Sequence, residues 1–383
     1  MGKLFSKKKN ALEDLPWYNA DDGYYHLDHI LSFNAKYNVI FGERSSGKTT
    51  ACLMRAVDKY VESGEQFAYI RRWDIDIRGK NPNNLFNFLS ESGYIKEKTK
   101  GEYNSVVFRS GCFYLSKFNS EDRTRITAPE PFGFAFALNN MEHDKSSSYP
   151  RVKMIVFDEF LTRTTYLVDE FVLFSNVLST IIRSRNDVTI FMLGNTINKY
   201  CPYFKEMGLK NVKKMEQGTI DLYKYGNSEL TVAVEYTGEG ITSNQGSDVY
   251  FAFDNPKLQM ITNGGWELDI YPHCPMKYAP KDIKFKYIIE FDDEMLMAEI
   301  IKKNKCIFTF IHRKTTDIKN EDKDIIYTQR YDPRKNWRRL INKPYDKIGD
   351  LIWRQFQTES VYYQDNEVGD VIMNYLHWCK QQV

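Results

Sequence analysis

The sequence predicts an α/β fold built on a mostly parallel sheet, and three observations predict it. Short apolar runs recur at 37–41, 66–70, 132–138, 154–157 and 188–193. Each is of strand length, and a continuous apolar strand belongs to a sheet covered on both faces. Helical spacing lies between them, first in Ala51, Leu53, Met54, Val57, Tyr60 and Val61, then in Phe171, Phe174, Val177, Leu178, Ile181 and Ile182. Such alternation gives a parallel sheet with ligands at the strands' carboxyl ends. The third observation is the loop joining the first run to the first helix, Gly42-Glu43-Arg44-Ser45-Ser46-Gly47-Lys48-Thr49.

That loop fits the pattern G-x-x-x-x-G-K-[ST] at every fixed position, in the strand–loop–helix context the pattern requires. The helix it opens should end at Gly64, a plausible C-cap. Backbone N–H groups and the helix N-terminus cradle phosphates there, where the macrodipole favours negative charge. The candidate nucleotide-binding residues are Gly42, Glu43, Arg44, Ser45, Ser46, Gly47, Lys48, Thr49 and Thr50. Lys48 should reach the β/γ-phosphates of ATP, and the Thr49 hydroxyl should bind Mg²⁺.

The run at 154–157 ends in Asp158-Glu159, and an apolar strand ending in two acids downstream of a phosphate loop is a Walker B arrangement. Asp158 is the second Mg²⁺ candidate. Glu159 is the candidate acceptor that polarises the attacking water, because in-line attack needs a positioned base. Asn195 follows the next strand and can contact the γ-phosphate or the water. The helix between them ends in Arg183-Ser184-Arg185, where basic residues also suit the helix dipole. A GTPase would want N-K-x-D, but Asn198-Lys199-Tyr200-Cys201 lacks the Asp.

The 383 residues suggest more than one domain. Net charge is +2, so a nucleic-acid-binding surface would have to be local. Six scattered cysteines show no C-x-x-C pair, which points to free thiols and no structural metal. No run reaches the length of a membrane span. Met1-Gly2-Lys3-Leu4-Phe5-Ser6 fits a myristoylation pattern ahead of Lys7-Lys8-Lys9, although a solvated basic arm accounts for the same residues.

The expected organisation is an ATPase domain over 1–204, a Gly- and Asn-richer linker subdomain over 205–279, and a small α/β domain over 280–383. In the last, β-like runs at 285–291, 295–301, 306–311 and 324–327 precede a helix carrying Val368, Val371, Ile372, Tyr375 and Leu376. Between Lys302 and Lys347 stand fourteen Lys and Arg against six Asp and Glu, including Arg334-Lys335-Asn336-Trp337-Arg338-Arg339. That cluster suits a phosphate backbone, and a solvated face would look the same.

Together these residues resemble the DNA-encapsidation ATPases of small, phi29-like tailed phages. The resemblance rests on Arg44 in the phosphate loop and on the stretch Gly64-Glu65-Gln66-Phe67-Ala68-Tyr69-Ile70-Arg71-Arg72. It continues through Lys145-Ser146, Tyr149-Pro150, Ile155 to Phe160, Arg183-Ser184-Arg185, Asn195 and Pro202-Tyr203-Phe204. It implies an ASCE-type P-loop core and a C-terminal domain like a degenerate RNase H fold. It further implies a homopentameric ring docked on a procapsid portal in the host cytoplasm, driving double-stranded DNA inward, with a structural RNA as a further partner. Sites at subunit interfaces would take a cation from the neighbour, a role the resemblance gives to Arg183 and Lys145. Two other readings stand beside it. One is a packaging nuclease using Glu290, Asp292, Asp350 and Asp370; the other is a membrane-tethered scaffold.

Overall fold

The computed structural model describes residues 2–5, 24–79, 81–143, 148–162, 166–196, 199–237 and 270–382. They form two compact units, 1–267 and 268–383.

The first unit contains an 11-stranded sheet. Its strands are β1 (Gly2–Phe5), β2 (Tyr37–Gly42), β3 (Gln66–Arg71), β4 (Ser105–Arg109), β5 (Cys112–Phe118), β6 (Arg125–Thr127), β7 (Gly133–Ala137), β8 (Val152–Asp158), β9 (Thr189–Asn195), β10 (Thr219–Tyr225) and β11 (Thr231–Tyr236). Their order is β1-β10-β11-β2-β9-β8-β3-β7-β5-β4, with β6 beside β5. From β11 to β7 every neighbour is parallel, as the apolar runs predict for β2, β9, β8, β3 and β7. Antiparallel strands flank this block on both sides.

Alternation along each strand feeds two cores. Val39, Phe41, Ile155 and Phe157 join one, beneath the helix Glu170–Ile182; Ile40, Met154 and Val156 join the other, with Leu53 and Val57 of the helix Lys48–Ser63. Of the residues their spacing marks, Leu53, Val57, Phe174, Val177, Leu178 and Ile181 are buried, while Val61 is exposed at the end of its helix. Each fully buried large side chain contributes about 1.5–3 kcal/mol by the hydrophobic effect. This double cover leaves the carboxyl ends of β2, β8 and β9 as the place where polar side chains can gather.

The expected boundary at 204 does not coincide with an edge of this sheet. Val232 to Tyr236 of β11 pair in parallel with Tyr37 to Phe41 of β2, and β10 pairs with β11. The first part of the expected linker therefore completes the nucleotide-side unit, while 238–269 lie outside the described residues. Of the N-terminal pattern, residues 2–5 form an edge strand on β10, and 6–23 also lie outside the described residues.

The second unit has a six-stranded sheet of β12 (Ile283–Phe291), β13 (Glu294–Lys303), β14 (Cys306–Arg313), β15 (Ile326–Thr328), β16 (Trp337–Arg338) and β17 (Val361–Tyr363). The order is β16-β15-β12-β13-β14-β17, an antiparallel meander extended by parallel strands. Helices Lys347–Gln357 and Asn366–Gln381 start at side-chain caps from Asp346 and Asp365. The unit begins before the expected residue 280, since Tyr271 packs against Gly369 and its N–H bonds Asn366.

The basic run is less uniform than its sequence suggests. Arg338 is buried and donates to both oxygens of Asp346, and Arg334 is paired with Asp332, Glu321 and Asp322. Lys335 and Arg339 stay exposed. Of the proposed nuclease carboxylates, Glu290 is paired with Arg330 and Asp350 with Arg354. Among the described residues, no group of three or more His, Cys, Asp or Glu side chains could hold a metal ion.

Candidate nucleotide site

The phosphate loop bridges β2 and the helix Lys48–Ser63. Two of its glycines are dictated by space and backbone. A Cβ on Gly42, at φ 153°, would stand 2.0 Å from the Thr237 hydroxyl; Gly47, at φ 93°, is the N-cap and lies under the Tyr24 ring. Lys48 is buried, donating to the Glu43 carbonyl and, at 3.0 Å, to the Ser46 hydroxyl. Burial pushes its ammonium down to about 8, against the pull of nearby carboxylates. A bound triphosphate would replace those internal acceptors with charge-assisted ones.

Asp158 closes the site from the end of β8. The Thr49 hydroxyl lies 3.2 Å from each of its oxygens, and the Tyr69 hydroxyl donates to it at 2.9 Å. Burial, with the Asp158 charge beside it, holds the Tyr69 phenol well above its usual range, so it remains a donor. Burial also raises the Asp158 carboxyl, opposed chiefly by Arg71. The predicted pair Thr49 and Asp158 is therefore assembled.

Glu159 follows at φ 59°, a left-handed conformation rare for a non-glycine residue. Two adjacent arginines from the end of β3 hold it. Arg71 reaches the Glu159 carboxylate at 2.7 Å and also approaches Asp158 at 3.9 Å. Arg72 fixes the backbone, donating to the carbonyls of Glu159 at 3.1 Å and Phe160 at 2.7 Å. Arg72 is itself buried and paired at 2.8 Å with Glu170, which also accepts from Tyr203 at 2.8 Å and the Leu167 N–H at 2.7 Å. Removing one partner of such a pair strands a buried charge and costs about 3–5 kcal/mol.

The phosphate loop, Asp158 and Glu159 line a cavity of about 390 Å³ that runs from Ser45 through Thr50 to Asp158, Glu159 and Asn195. Asn195 thus reaches the site from the end of β9, as the sequence predicts. Arg183 does not line this cavity; it is exposed at the end of the helix Glu170–Ile182, with φ 52°. Arg185 is a fastener instead, donating to the carbonyls of Tyr149, Val152 and Ile181. Lys145 lies outside the described residues.

Comparison with known proteins adds identity to this geometry. The profile described as "Podovirus DNA encapsidation protein (Gp16)" matches residues 20–240. The chain belongs to this encapsidation family. The matched span covers β2 to β11, every strand around the site. The DNA packaging proteins of Bacillus phages phi29 and PZA are each 27% identical over 184 residues, 47% of this chain and 49% of theirs. The chain thus spans about half the length of the curated relatives it matches. Over the whole fold it is similar to a chain of the bacteriophage Phi-29 viral genome packaging motor assembly. That match has a TM-score of 0.55 at 19% identity and covers 94% of this chain and 99% of that one. The Phi-28 gp11 DNA packaging motor gives a TM-score of 0.50 at 19% identity, covering 93% and 96%.

Several residues of the encapsidation-family core escape sequence reasoning. Arg71 and Arg72 are visible as an arginine pair ending a strand, but their division of labour is not. Glu235 gives no signal, being one polar residue inside the apolar β11. It is fully buried; Tyr25 donates to one carboxyl oxygen at 2.7 Å, and the other oxygen has no partner among the described residues.

Burial pushes the Glu235 carboxyl up to about 8. A folded value raised above the ordinary 4.5 gives stability that is full below about 4.5 and lost as pH rises through about 8. Glu235→Gln, which mimics the protonated acid, should therefore raise Tm relative to wild type by several degrees at about pH 8.5 and by clearly less at about pH 5.5, where only about one pH unit of that loss has accrued. Thermal melts of both proteins at the two pH values check this; an equal shift at both would mean that Glu235 is not neutral in the fold.

Proposed function

We propose that this chain is an ATP-driven translocase that moves double-stranded DNA into a viral procapsid through the portal. One observation carries the reading: the phosphate loop and the Asp158-Glu159 pair share one cavity, with Thr49 Oγ1 3.2 Å from both Asp158 oxygens. Membership of the encapsidation family supports DNA packaging as the work that hydrolysis drives.

Thr49 and Asp158 are hard oxygen donors, and a carboxyl raised by burial is short of positive charge, so the pair fits Mg²⁺. Bound there, Mg²⁺ would offset the charge of the β- and γ-phosphates. Lys48 binds those phosphates as a buried cation. Glu159 accepts the proton of the attacking water, which requires its carboxylate to exchange Arg71 for that water. Asn195 orients the water or the γ-phosphate. Arg183, outside its own cavity, serves a neighbouring subunit's site in a ring, which we take as a pentamer, with Lys145 as a second trans cation. The same reading puts the ring on the portal in the host cytoplasm, with a structural RNA as an additional contact. The C-terminal unit would meet DNA through exposed cations such as Lys335 and Arg339, since Arg334 and Arg338 are engaged by carboxylates.

Lys48→Ala should weaken nucleotide binding, because it removes a buried cation that meets the phosphates. Glu159→Gln should bind ATP normally yet hydrolyse it about 10²–10⁴-fold more slowly, because an amide cannot take the proton. Equilibrium binding and phosphate release measured on both variants test this; normal turnover in the Gln variant would remove Glu159 from the mechanism.

Arg183→Ala should likewise bind ATP and lose roughly 10³-fold or more in turnover, as when an arginine finger is removed. Mixing Arg183→Ala with Glu159→Gln subunits should restore part of the activity, because some interfaces then join an intact base to an intact finger. Co-assembled rings that recover nothing would instead assign Arg183 to its own subunit.

A further inference from the structure

We infer that Tyr24 and Phe88 form the platform on which the base of the bound nucleotide stacks. The inference rests on the nucleotide-site reading and extends it to the part of the ligand that the phosphate loop cannot recognise. Both rings line the same cavity as Lys48, Thr49 and Asp158. They come from separate segments, one before β2 and one in the short helix Asn87–Glu91, and meet edge to face with centroids 5.9 Å apart. Each stays partly open to solvent, Tyr24 at 36% and Phe88 at 50%.

The placement of Tyr24 is held from two directions. The N–H of Tyr25 donates to the Ser46 carbonyl of the phosphate loop at 2.9 Å, and the Tyr25 hydroxyl is bonded to Glu235 on β11. The Tyr24 ring itself covers Gly47, with its Cδ1 3.0 Å from where a Cβ would stand. Phe88 is brought in by its neighbour Phe86, whose buried ring packs on Phe67, Phe113 and Phe132. A buried anchor next to an exposed ring presents that ring outward at a fixed place. The structure therefore puts two pre-positioned aromatic faces against a phosphate loop, and a purine is the part of a nucleotide with an extended apolar π-face to match them.

Stacking reads the area of the base more than its hydrogen-bonding edge, so the platform should favour purines over pyrimidines and separate adenine from guanine only weakly. Diphosphates test this without turnover. Calorimetric titration with Mg²⁺ and ADP, GDP, UDP or pyrophosphate should show wild type binding ADP and GDP more tightly than UDP. Tyr24→Ala and Phe88→Ala should each weaken ADP about 10-fold or more and leave pyrophosphate affinity within about twofold, while Tyr24→Phe retains ADP affinity. Unchanged ADP affinity in both alanine variants would overturn the inference. Parallel loss of ADP and pyrophosphate would also overturn it, because the rings would then only brace the phosphate loop. If wild type bound neither ADP nor pyrophosphate, the nucleotide-site reading itself would fall, and this inference with it.

Discussion

The carboxylate of Asp158 is the group around which the site is arranged. It ends a strand buried on both faces, so the chain delivers a charge to the edge of a low-dielectric core, where it is costly without partners. Thr49, Tyr69 and Arg71 supply them from β3 and the phosphate-loop helix. This need for partners draws the phosphate loop, the end of β8 and the arginine pair of β3 into one place. Parallel packing of β2, β9, β8 and β3 makes that convergence possible, because all four strands release their chains on the same edge.

The second arginine extends the arrangement. Arg72 holds the strained Glu159 backbone and is neutralised by Glu170, the first residue of the helix that ends at Arg183. The Asp158-Glu159 turn and that helix are therefore fastened through a buried ion pair, and a displacement of either end must work against it. Glu159 itself is held by Arg71 in this arrangement, so the carboxylate we propose as base is engaged. A site of this kind is completed by what binds to it.

Much of this was legible in the sequence because the informative features are local. Five apolar runs, two helical periods and one glycine loop specify the parallel core, and Asp158, Glu159 and Asn195 announce themselves as polar residues ending apolar strands. What was not legible depends on pairing between distant segments. Strands β10 and β11 follow a helix–strand alternation that has already finished, and nothing local shows that they join β2. Strand β17 has three residues, too few for a period, and forms because β14 offers it an edge. The helix Lys347–Gln357 did carry a readable signal, an Asp N-cap ahead of Ile348, Leu351, Ile352 and Phe356. The basic run misled because charge counts do not show that Arg338 turns inward to Asp346. Glu235 was hidden for the same reason: its meaning lies in Tyr25 and Lys48, far away in the chain.

The central claim is that hydrolysis at the cavity beneath Asp158 and Glu159 is geared to DNA. The most direct measurement is the rate of ATP hydrolysis by the full chain with Mg²⁺, in the presence and absence of double-stranded DNA. The account predicts turnover that rises with double-stranded DNA of any sequence, with the increase shrinking as salt screens the phosphate contacts. A rate indifferent to DNA at every salt concentration, or no turnover under either condition, would contradict it.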